Sequence, residues 1–114
     1  MFPLEHPYYV YILTNKLHTV LYTGVTNDLG ERVIEHFLEQ GNPKSFCGRY
    51  NCNILVYYEG YDYILDAIPR EKQVKKYSRI KKEALINSMN PYWENLYLRI
   101  FKKWPPVRLP PKRT

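Results

Sequence analysis

Two short segments near the start of the chain alternate apolar and polar residues in the manner of β-strands. Residues 8–13 and 20–24 are rich in Tyr, Val, Ile and Leu, and the stretch between them begins Thr14-Asn15-Lys16. Alternation with a period of two, bounded by turn residues, predicts an antiparallel hairpin with a longer loop. On such strands Tyr11 and Tyr22 lie on inward faces, so the two phenols are expected to face each other.

The segment after the hairpin carries the pattern of an amphipathic helix. Residues 26–28 (Thr-Asn-Asp) supply a cap, and apolar residues recur at every fourth position over 29–37. Arg32 and His36 are four residues apart and are therefore neighbours along one edge of that stripe. Residues 42–52 follow neither period, and we expect a loop there.

A third strand and a further helix follow from later patterns. Residues 53–59 form a nearly continuous apolar run before Gly60, which indicates a central, well-covered strand. Residues 78–89 predict a helix that Asn90-Pro91 ends. Its cap is expected to be Ser78, and its inward residues Ile80, Ala84 and Leu85.

The helix between these two elements brings a carboxylate to the core. Asp62 is the expected cap, Pro69 is expected to kink the helix or to open a new segment, and Glu71 lies on or beside the apolar stripe. An unpaired buried carboxylate is costly, so Glu71 needs a partner. The expected inward residues are Ile64, Leu65 and Ile68.

Length and composition predict a single domain over residues 1–102. The chain has 114 residues and 45% hydrophobic content, which suits one core. After Trp93, Leu96 and Leu98, which are expected to pack back on the body, residues 103–114 predict an extended, flexible, Pro-rich basic tail. Apolar runs are too short to span a membrane, and the first residues do not resemble a signal peptide, so the expected location is cytoplasmic.

Charge is unevenly distributed along the chain. The formal net charge is +6, but residues 1–68 contain four basic and eight acidic groups, whereas residues 69–83 contain seven basic and two acidic ones. Most such runs are simply solvated helix faces; a polyanionic partner is the sharper interpretation. The expected nucleic-acid-binding residues are Lys72, Lys75, Lys76, Arg79 and Lys82.

Cysteine and histidine give no sign of structural zinc. Cys47 and Cys52 are expected to be reduced thiols, and His6, His18 and His36 are scattered along the sequence.

Phosphodiester hydrolysis gives a chemical reason for the remaining polar residues. Arg32 can donate two parallel hydrogen bonds to a phosphate. A single carboxylate such as Glu71 suffices for Mg²⁺, which keeps several waters and takes phosphate oxygens as ligands. Tyr22 is the first choice to accept a proton from an attacking water. His36, which is expected to titrate nearer neutrality, is the alternative base, and Tyr22 would then position the water.

Several motifs in register resemble the GIY-YIG nuclease domain, in its small single-domain bacterial (YhbQ-like) branch. The first motif stands as Tyr9-Val10-Tyr11 and the second as Tyr22-Thr23-Gly24. The likeness continues to about residue 97. Further matching stretches are Arg32-Val33, Glu35-His36, Leu55 to Glu59, Arg70-Glu71-Lys72-Gln73, Ser78-Arg79 and Asn90-Pro91.

This resemblance implies an α+β fold with a three-stranded antiparallel sheet flanked by helices. It also implies an enzyme that hydrolyses DNA with one Mg²⁺ or Mn²⁺. By position, Glu71 matches the metal-binding glutamate, Arg32 the invariant arginine, and Tyr11 and Tyr22 the motif tyrosines. His36 falls where some relatives place another tyrosine. DNA is the expected partner, RNA stays open, neither a membrane nor a small-molecule substrate is expected, and the sequence does not fix the oligomeric state.

Each of these residues also has an ordinary structural explanation. Arg32 can pair with Glu31 or Glu35 on its helix, and Glu71 with Lys75 four residues on. Two functions therefore follow from the sequence. One is a metal-dependent endonuclease, for which structure-selective, repair-related cleavage is one form; the other is a catalytically weak or inactive nucleic-acid-binding module on the same fold.

Overall fold

The structure, a computed structural model, describes residues 5–104. Its elements in chain order are β1 (Tyr8–Thr14), β2 (Leu21–Thr26), α1 (Leu29–Leu38), α2 (Phe46–Tyr50), β3 (Ile54–Tyr61), α3 (Ile64–Lys75), α4 (Arg79–Met89) and α5 (Leu96–Phe101). The expected α+β fold, a three-stranded antiparallel sheet flanked by helices, is confirmed.

The sheet has the order β2-β1-β3, so β1 is its central strand. The expectation that the third strand is central is wrong. The apolar run of β3 reflects cover on both faces, because α5 and α4 both contact this edge strand. Between Ile12 and Leu13 the register with β3 shifts, which leaves Val56 without a directly opposed residue.

Two apolar clusters lie on opposite faces of the sheet. One joins alternate residues of β1 to α1, α2 and α5 (Tyr9, Tyr11, Leu13, Leu29, Val33, Cys47, Cys52, Leu55, Leu96 and Tyr97). The other joins β1 and β3 to α3 and α4 (Ile12, Val56, Tyr57, Val74 and Ile86). Cys47 and Cys52 are free, buried thiols.

The first helix follows its prediction closely. Asp28 caps α1 by accepting a hydrogen bond from the Glu31 amide at 3.1 Å. Leu29 and Val33 are buried as expected, and His36, one residue before the half-buried Phe37, is buried as well. The loop expected over 42–52 instead contains the short helix α2, which Ser45 caps through the Gly48 amide.

Helix α3 departs from its prediction in cap and phase. Tyr63, not Asp62, occupies the cap position, because the Asp62 carboxylate pairs with His6 at 2.8 Å. The inward residues are Ala67, Glu71 and Val74, whereas Leu65 is 81% exposed and Ile64 and Ile68 are also exposed. Small Ala67 allows a close approach to the sheet, and α3 continues through Pro69, which lies on the exposed side.

Helix α4 and the residues after it show a similar mixture. Ser78 caps α4 as expected and Asn90 ends it. The inward residue is Ile86, with Leu85 half-buried, whereas Ile80 is 78% exposed and Ala84 is also exposed. The apolar residues of this helix are therefore only partly directed to the core.

The C-terminal part of the described chain forms a helix that the sequence pattern does not predict. Leu96 is buried in α5 as expected, whereas Leu98 is exposed, and Trp93 packs against the cluster beneath α4. Trp104 contacts the ring of Phe37 with centroids 5.4 Å apart. The remainder of the expected tail, residues 105–114, lies outside the described residues.

One close contact fixes how β1 and β2 pair. Tyr11 lies opposite Gly24, and a Cβ atom at Gly24 would be 2.5 Å from the Tyr11 hydroxyl oxygen. We therefore expect Gly24→Ala to reduce the free energy of unfolding by about 1–3 kcal/mol, the usual cost of overpacking. Urea denaturation measures this change.

The background variant Tyr11→Leu separates the clash from a general effect of alanine. Leucine lacks the ring and hydroxyl atoms that the new methyl group would meet. The cost of Gly24→Ala is expected to shrink in that background, and equal costs in both backgrounds would contradict a Tyr11 clash.

Candidate active site

The candidate site begins at the phenol of Tyr11, on the central strand. Only 1% of this side chain is exposed, and its ring lies over Gly24 of β2. Because Gly24 has no side chain, the Tyr11 ring can cross β2 and its hydroxyl can reach α1. A tyrosine on the middle strand is thereby presented to a helix rather than to solvent.

Helix α1 places two functional groups against that hydroxyl. His36 Nε2 lies 3.1 Å from the Tyr11 hydroxyl oxygen, and 3% of His36 is exposed. Arg32, one turn earlier, lies close enough to Tyr11 to lower the pKa of that phenol, against the larger opposing effect of burial. Arg32 Nη1 donates to Glu35 Oε1 at 2.7 Å. The structure therefore brings Tyr11, Arg32 and His36 together as the sequence predicts.

Tyr22 completes the aromatic part of the site. Its ring centroid is 6.3 Å from that of Tyr11, 5.3 Å from that of His36 and 6.0 Å from that of Phe46. Tyr22 is half-buried, whereas Tyr11 is enclosed. Of the two phenols, Tyr22 is the one that solvent or a substrate can reach.

Glu71 approaches the site from the other side, on α3. It is 9% exposed, and its Oε2 accepts from Lys75 Nζ at 2.8 Å, which supplies the partner that its burial requires. The pKa of Lys75 is raised chiefly by that hydrogen bond; burial opposes it, and the charges of Glu71 and of the Tyr22 phenol add to it. The Lys75 ammonium thus pairs with the carboxylate on α3 and lies within Coulombic range of the tyrosine on β2.

Burial sets the protonation states of the enclosed groups. Desolvation raises the pKa of Tyr11, Arg32 lowers it and Tyr22 raises it; the net pKa is well above the usual range, so Tyr11 stays a neutral phenol. Desolvation and then the charge of Arg32 lower the pKa of His36 to about 4. The expectation that His36 titrates near neutrality is therefore wrong, since water is excluded and a cation lies beside it.

The residues expected to bind nucleic acid fall into two groups. Lys72 and Lys76 are exposed and Lys82 is half-exposed. Arg79 instead donates to the backbone carbonyls of His18 at 2.6 Å and Thr19 at 3.0 Å, which ties α4 to the β1–β2 loop. Lys75 belongs to the candidate site through Glu71.

Sequence reasoning did not identify one contributor to the site, Phe46, and left the role of another, Lys75, open. Phe46 packs on Tyr22 from α2, a segment whose only helical signal is the capping Ser45. Lys75 was expected either as a contact for nucleic acid or as the partner of Glu71 four residues earlier, and the structure has the ion pair.

The donor set is compatible with one hard divalent cation. Within residues 5–104, no cluster of three or more His, Cys, Asp or Glu side chains is suited to a metal. The carboxylate of Glu71 is the oxygen donor at this site, and Mg²⁺ needs few protein ligands because it retains waters. The Lys75 side chain is half-exposed, so its ammonium has room to move away from Glu71.

No helix in the described part of the chain is both long and apolar enough to cross a membrane.

Comparison with known proteins gives consistent results. UPF0213 proteins of Natronomonas pharaonis and Haloquadratum walsbyi are each 40% identical, over 79 and 78 residues, which are 69% and 68% of this chain and 89% and 84% of the relatives. A UPF0213 protein of Staphylococcus saprophyticus is 38% identical over 80 residues, 70% of this chain and 94% of that protein.

A solution NMR structure of the UPF0213 protein BH0048 from Bacillus halodurans is 33% identical, with a TM-score of 0.49, and the match covers 80% of this chain and 94% of that one. A family model, the GIY-YIG catalytic domain, matches residues 7–84. That segment contains both tyrosines, the arginine, the histidine and the glutamate described above. The chain therefore belongs to the GIY-YIG family, in the small single-domain branch of the UPF0213 proteins.

Proposed function

We propose that this protein is a metal-dependent endonuclease that hydrolyses phosphodiester bonds of DNA. The observation that carries the proposal is a half-buried phenol, Tyr22, which packs on His36, one turn along α1 from the guanidinium of Arg32. The ammonium of Lys75, paired with the nearly buried carboxylate of Glu71 on α3, lies within Coulombic range of the same phenol. Phosphodiester hydrolysis needs a proton acceptor and charge stabilisation on the phosphate, and these side chains supply both.

Tyr22 is the proposed acceptor of the proton from the attacking water. It is the phenol that solvent can reach, and its ring is held between Tyr11, His36 and Phe46. The ammonium of Lys75 lies within Coulombic reach of the phenol. To accept a proton from water, Tyr22 must react as the phenolate, which then becomes a neutral phenol while the hydroxide attacks the phosphorus. A cation beside the oxygen stabilises that phenolate.

Arg32 is the proposed phosphate ligand. Its side chain is 42% exposed, and Glu35 holds one of its terminal nitrogens at 2.7 Å, which orients the planar fork. A guanidinium fixed in this way can present two parallel donors to the non-bridging oxygens. Its charge persists at any working pH.

Glu71 is the proposed ligand of one Mg²⁺ or Mn²⁺. When bound, such an ion supplies charge neutralisation on the phosphate and lowers the pKa of coordinated water. Until then Lys75 satisfies the carboxylate. On release from Glu71, the Lys75 ammonium is placed to contact the substrate backbone.

Tyr11 and His36 are proposed to organise the site from beneath. A buried imidazole with its pKa lowered to about 4 is neutral at pH 7 and a weak base, so His36 is better suited to hold Tyr11 and the Tyr22 ring in place than to take the proton. This leaves Tyr22 as the stronger candidate for the acceptor.

The second candidate function is a nucleic-acid-binding module with weak or no catalysis. One observation favours it: both charged groups are already paired within their own helices, Arg32 with Glu35 and Glu71 with Lys75. The exposed lysines 72 and 76 would then carry the function by binding phosphates. DNA remains the proposed partner in either case, with RNA an alternative substrate.

Cleavage by site variants separates the two functions. We expect Glu71→Gln and Arg32→Ala each to reduce the cleavage rate by about 10²-fold or more, because each removes charge stabilisation from the transition state. The assay uses Mg²⁺ or Mn²⁺ with supercoiled, nicked, flapped and single-stranded DNA. The cleavage rate of Tyr22→Phe is expected to fall by a comparable factor, because this variant lacks the proton acceptor.

Glu83→Gln is the matched control for Glu71. Glu83 also accepts from a basic residue four positions away, but on the exposed face of α4. Equal rates for wild type, Glu71→Gln and Arg32→Ala would indicate a contaminating nuclease and sink the proposed activity. If the wild type binds DNA but does not cleave it, the result would support the second candidate function, a nucleic-acid-binding module.

The buried neutral imidazole gives a second expectation, for stability against pH. The pKa of His36 in the folded protein is about 4, below the ordinary value of 6.5. The contribution of the neutral imidazole to the free energy of unfolding is therefore complete above pH 6.5 and is lost as the pH falls toward 4. From pH 7 to pH 5 the wild type is expected to lose about 2 kcal/mol more unfolding free energy than His36→Gln.

Urea denaturation of both proteins at pH 8, 7 and 5 tests this. The gap between them should change little from pH 8 to pH 7, which serves as the internal control. If both proteins lose the same stability between pH 7 and pH 5, the imidazole is not held neutral.

The basic segment gives a third expectation. Replacing both Lys72 and Lys76 with alanine should reduce the slope of log affinity for DNA against log salt by about 2, since each lysine releases about one counterion. The matched control is Lys102→Ala with Lys103→Ala, two exposed lysines after α5. If the double variant of Lys72 and Lys76 has the same slope as the wild type, this segment does not contact DNA.

A further inference from the structure

A dense polar cluster lies beside the candidate site, between β3 and α3. The Glu59 carboxylate accepts from Arg70 Nε at 2.5 Å and Arg70 Nη2 at 3.3 Å, from Tyr61 at 2.7 Å, and from Tyr57. Arg70 Nη1 also donates to Gln73 Oε1 at 2.8 Å and to the Tyr77 hydroxyl at 3.1 Å. The two charged side chains are only 18% and 23% exposed.

The cluster sits where α3 lacks a backbone constraint. Pro69 has no N–H to donate to the carbonyl of Leu65, so the helix has one hydrogen bond fewer in the turn that leads to Glu71. Arg70 directly follows that proline and directly precedes Glu71. Four hydrogen bonds from its guanidinium link this turn to β3, to Gln73 in the next turn, and to Tyr77 just after the helix.

Geometry relates the cluster to the carboxylate. Consecutive helical residues differ by about 100° in direction. Arg70 contacts β3, at one edge of the sheet, while the Glu71–Lys75 pair lies near Tyr22 of β2, at the other edge. Rotation of α3 that breaks the Arg70 bonds therefore also displaces Glu71.

Stability alone is a poor reason for such a cluster. A well-packed apolar pair of similar volume often matches or exceeds a buried ion pair in stability, whereas a bidentate ion pair fixes one relative orientation. We propose that Glu59 and Arg70 are positioning residues, which set the rotation of α3 so that the Glu71–Lys75 pair lies beside Tyr22. This inference rests on the proposed function of Glu71.

Two variants separate positioning from stability. Arg70→Lys keeps the charge but loses the planar fork and most of its bonds. The double variant Glu59→Leu with Arg70→Met replaces the ion pair by apolar side chains, so that no buried charge is left unpaired. Asp62→Asn is the control, because it breaks the His6–Asp62 pair at the start of α3, two turns before Glu71.

The first readout is the binding of Mn²⁺ to the full chain in the presence of an uncleavable phosphorothioate DNA duplex. The electron paramagnetic resonance signal of free Mn²⁺ measures this binding. We expect both Arg70 variants to raise the Kd for Mn²⁺ about tenfold. The second readout is cleavage of the ordinary duplex, where kcat should fall about tenfold or more with little change in KM for DNA. Asp62→Asn should match the wild type in both readouts.

Thermal unfolding of the double variant completes the test. A Tm close to that of the wild type together with weakened Mn²⁺ binding and low kcat supports positioning. Wild-type Mn²⁺ binding and kcat in the two Arg70 variants, or losses only in proportion to the unfolded fraction, would overturn it. If Glu71→Gln binds Mn²⁺ as well as the wild type and neither cleaves, the proposed function itself fails and the inference falls with it.

Discussion

The site is organised by the contact between Tyr11 and Gly24. Antiparallel pairing places these residues opposite each other, and the missing side chain of Gly24 is the space that the Tyr11 phenol fills. The hydroxyl thereby reaches His36 on α1, and the Tyr22 ring lies against both. The glycine of the second motif thus has a steric reason: any larger residue would meet the Tyr11 ring, and the hairpin could not present its phenols to α1.

His36 and Glu71 are both nearly buried, but the cost of burying an ionisable group is met differently in each. The imidazole of His36 is uncharged at neutral pH, since desolvation and Arg32 both disfavour its protonation. Glu71 is instead compensated by an ammonium at 2.8 Å. A neutral group can hold neighbouring rings in place without a counter-ion, whereas a carboxylate with a mobile partner can exchange that partner for another cation. These electrostatic differences fit the separate roles proposed for the two residues.

Much of this arrangement is encoded locally. The hairpin, the Asp28 cap of α1 and the four-residue spacing of Arg32 and His36 follow from short-range patterns, and the structure has all three. The inward faces of α3 and α4 cannot be predicted from such patterns. Both helices expose isoleucines, whereas α3 buries Ala67 and α4 buries Ile86. Hydrophobicity alone cannot reveal that a small residue allows closer packing against a sheet than a large one.

Tertiary context also explains the other differences. The apolar run of β3 predicts cover on both faces, which is correct, but cover comes from α4 and α5 rather than from a central place in the sheet. Phe46 could not be assigned to the site, because the five-residue helix that carries it is too short for a periodic signal. The pKa of His36 likewise depends on enclosure by α1 and both tyrosines, which no spacing along the chain encodes.

The ion pairs at the site suit a protein that must exchange them for a substrate. Arg32–Glu35 and Glu71–Lys75 are both formed within single helical turns, and in each pair the basic side chain is at least two-fifths exposed. A partly exposed pair such as Arg32–Glu35 contributes about 0–1 kcal/mol, so a phosphate can displace it at small cost. Glu71 is nearly buried, so its ammonium can leave at small cost only when another cation takes its place. The Glu59–Arg70 pair is more enclosed and has more hydrogen bonds. Each pair proposed to exchange a partner thus contains a partly exposed cation, whereas the pair proposed to fix the rotation of α3 is enclosed.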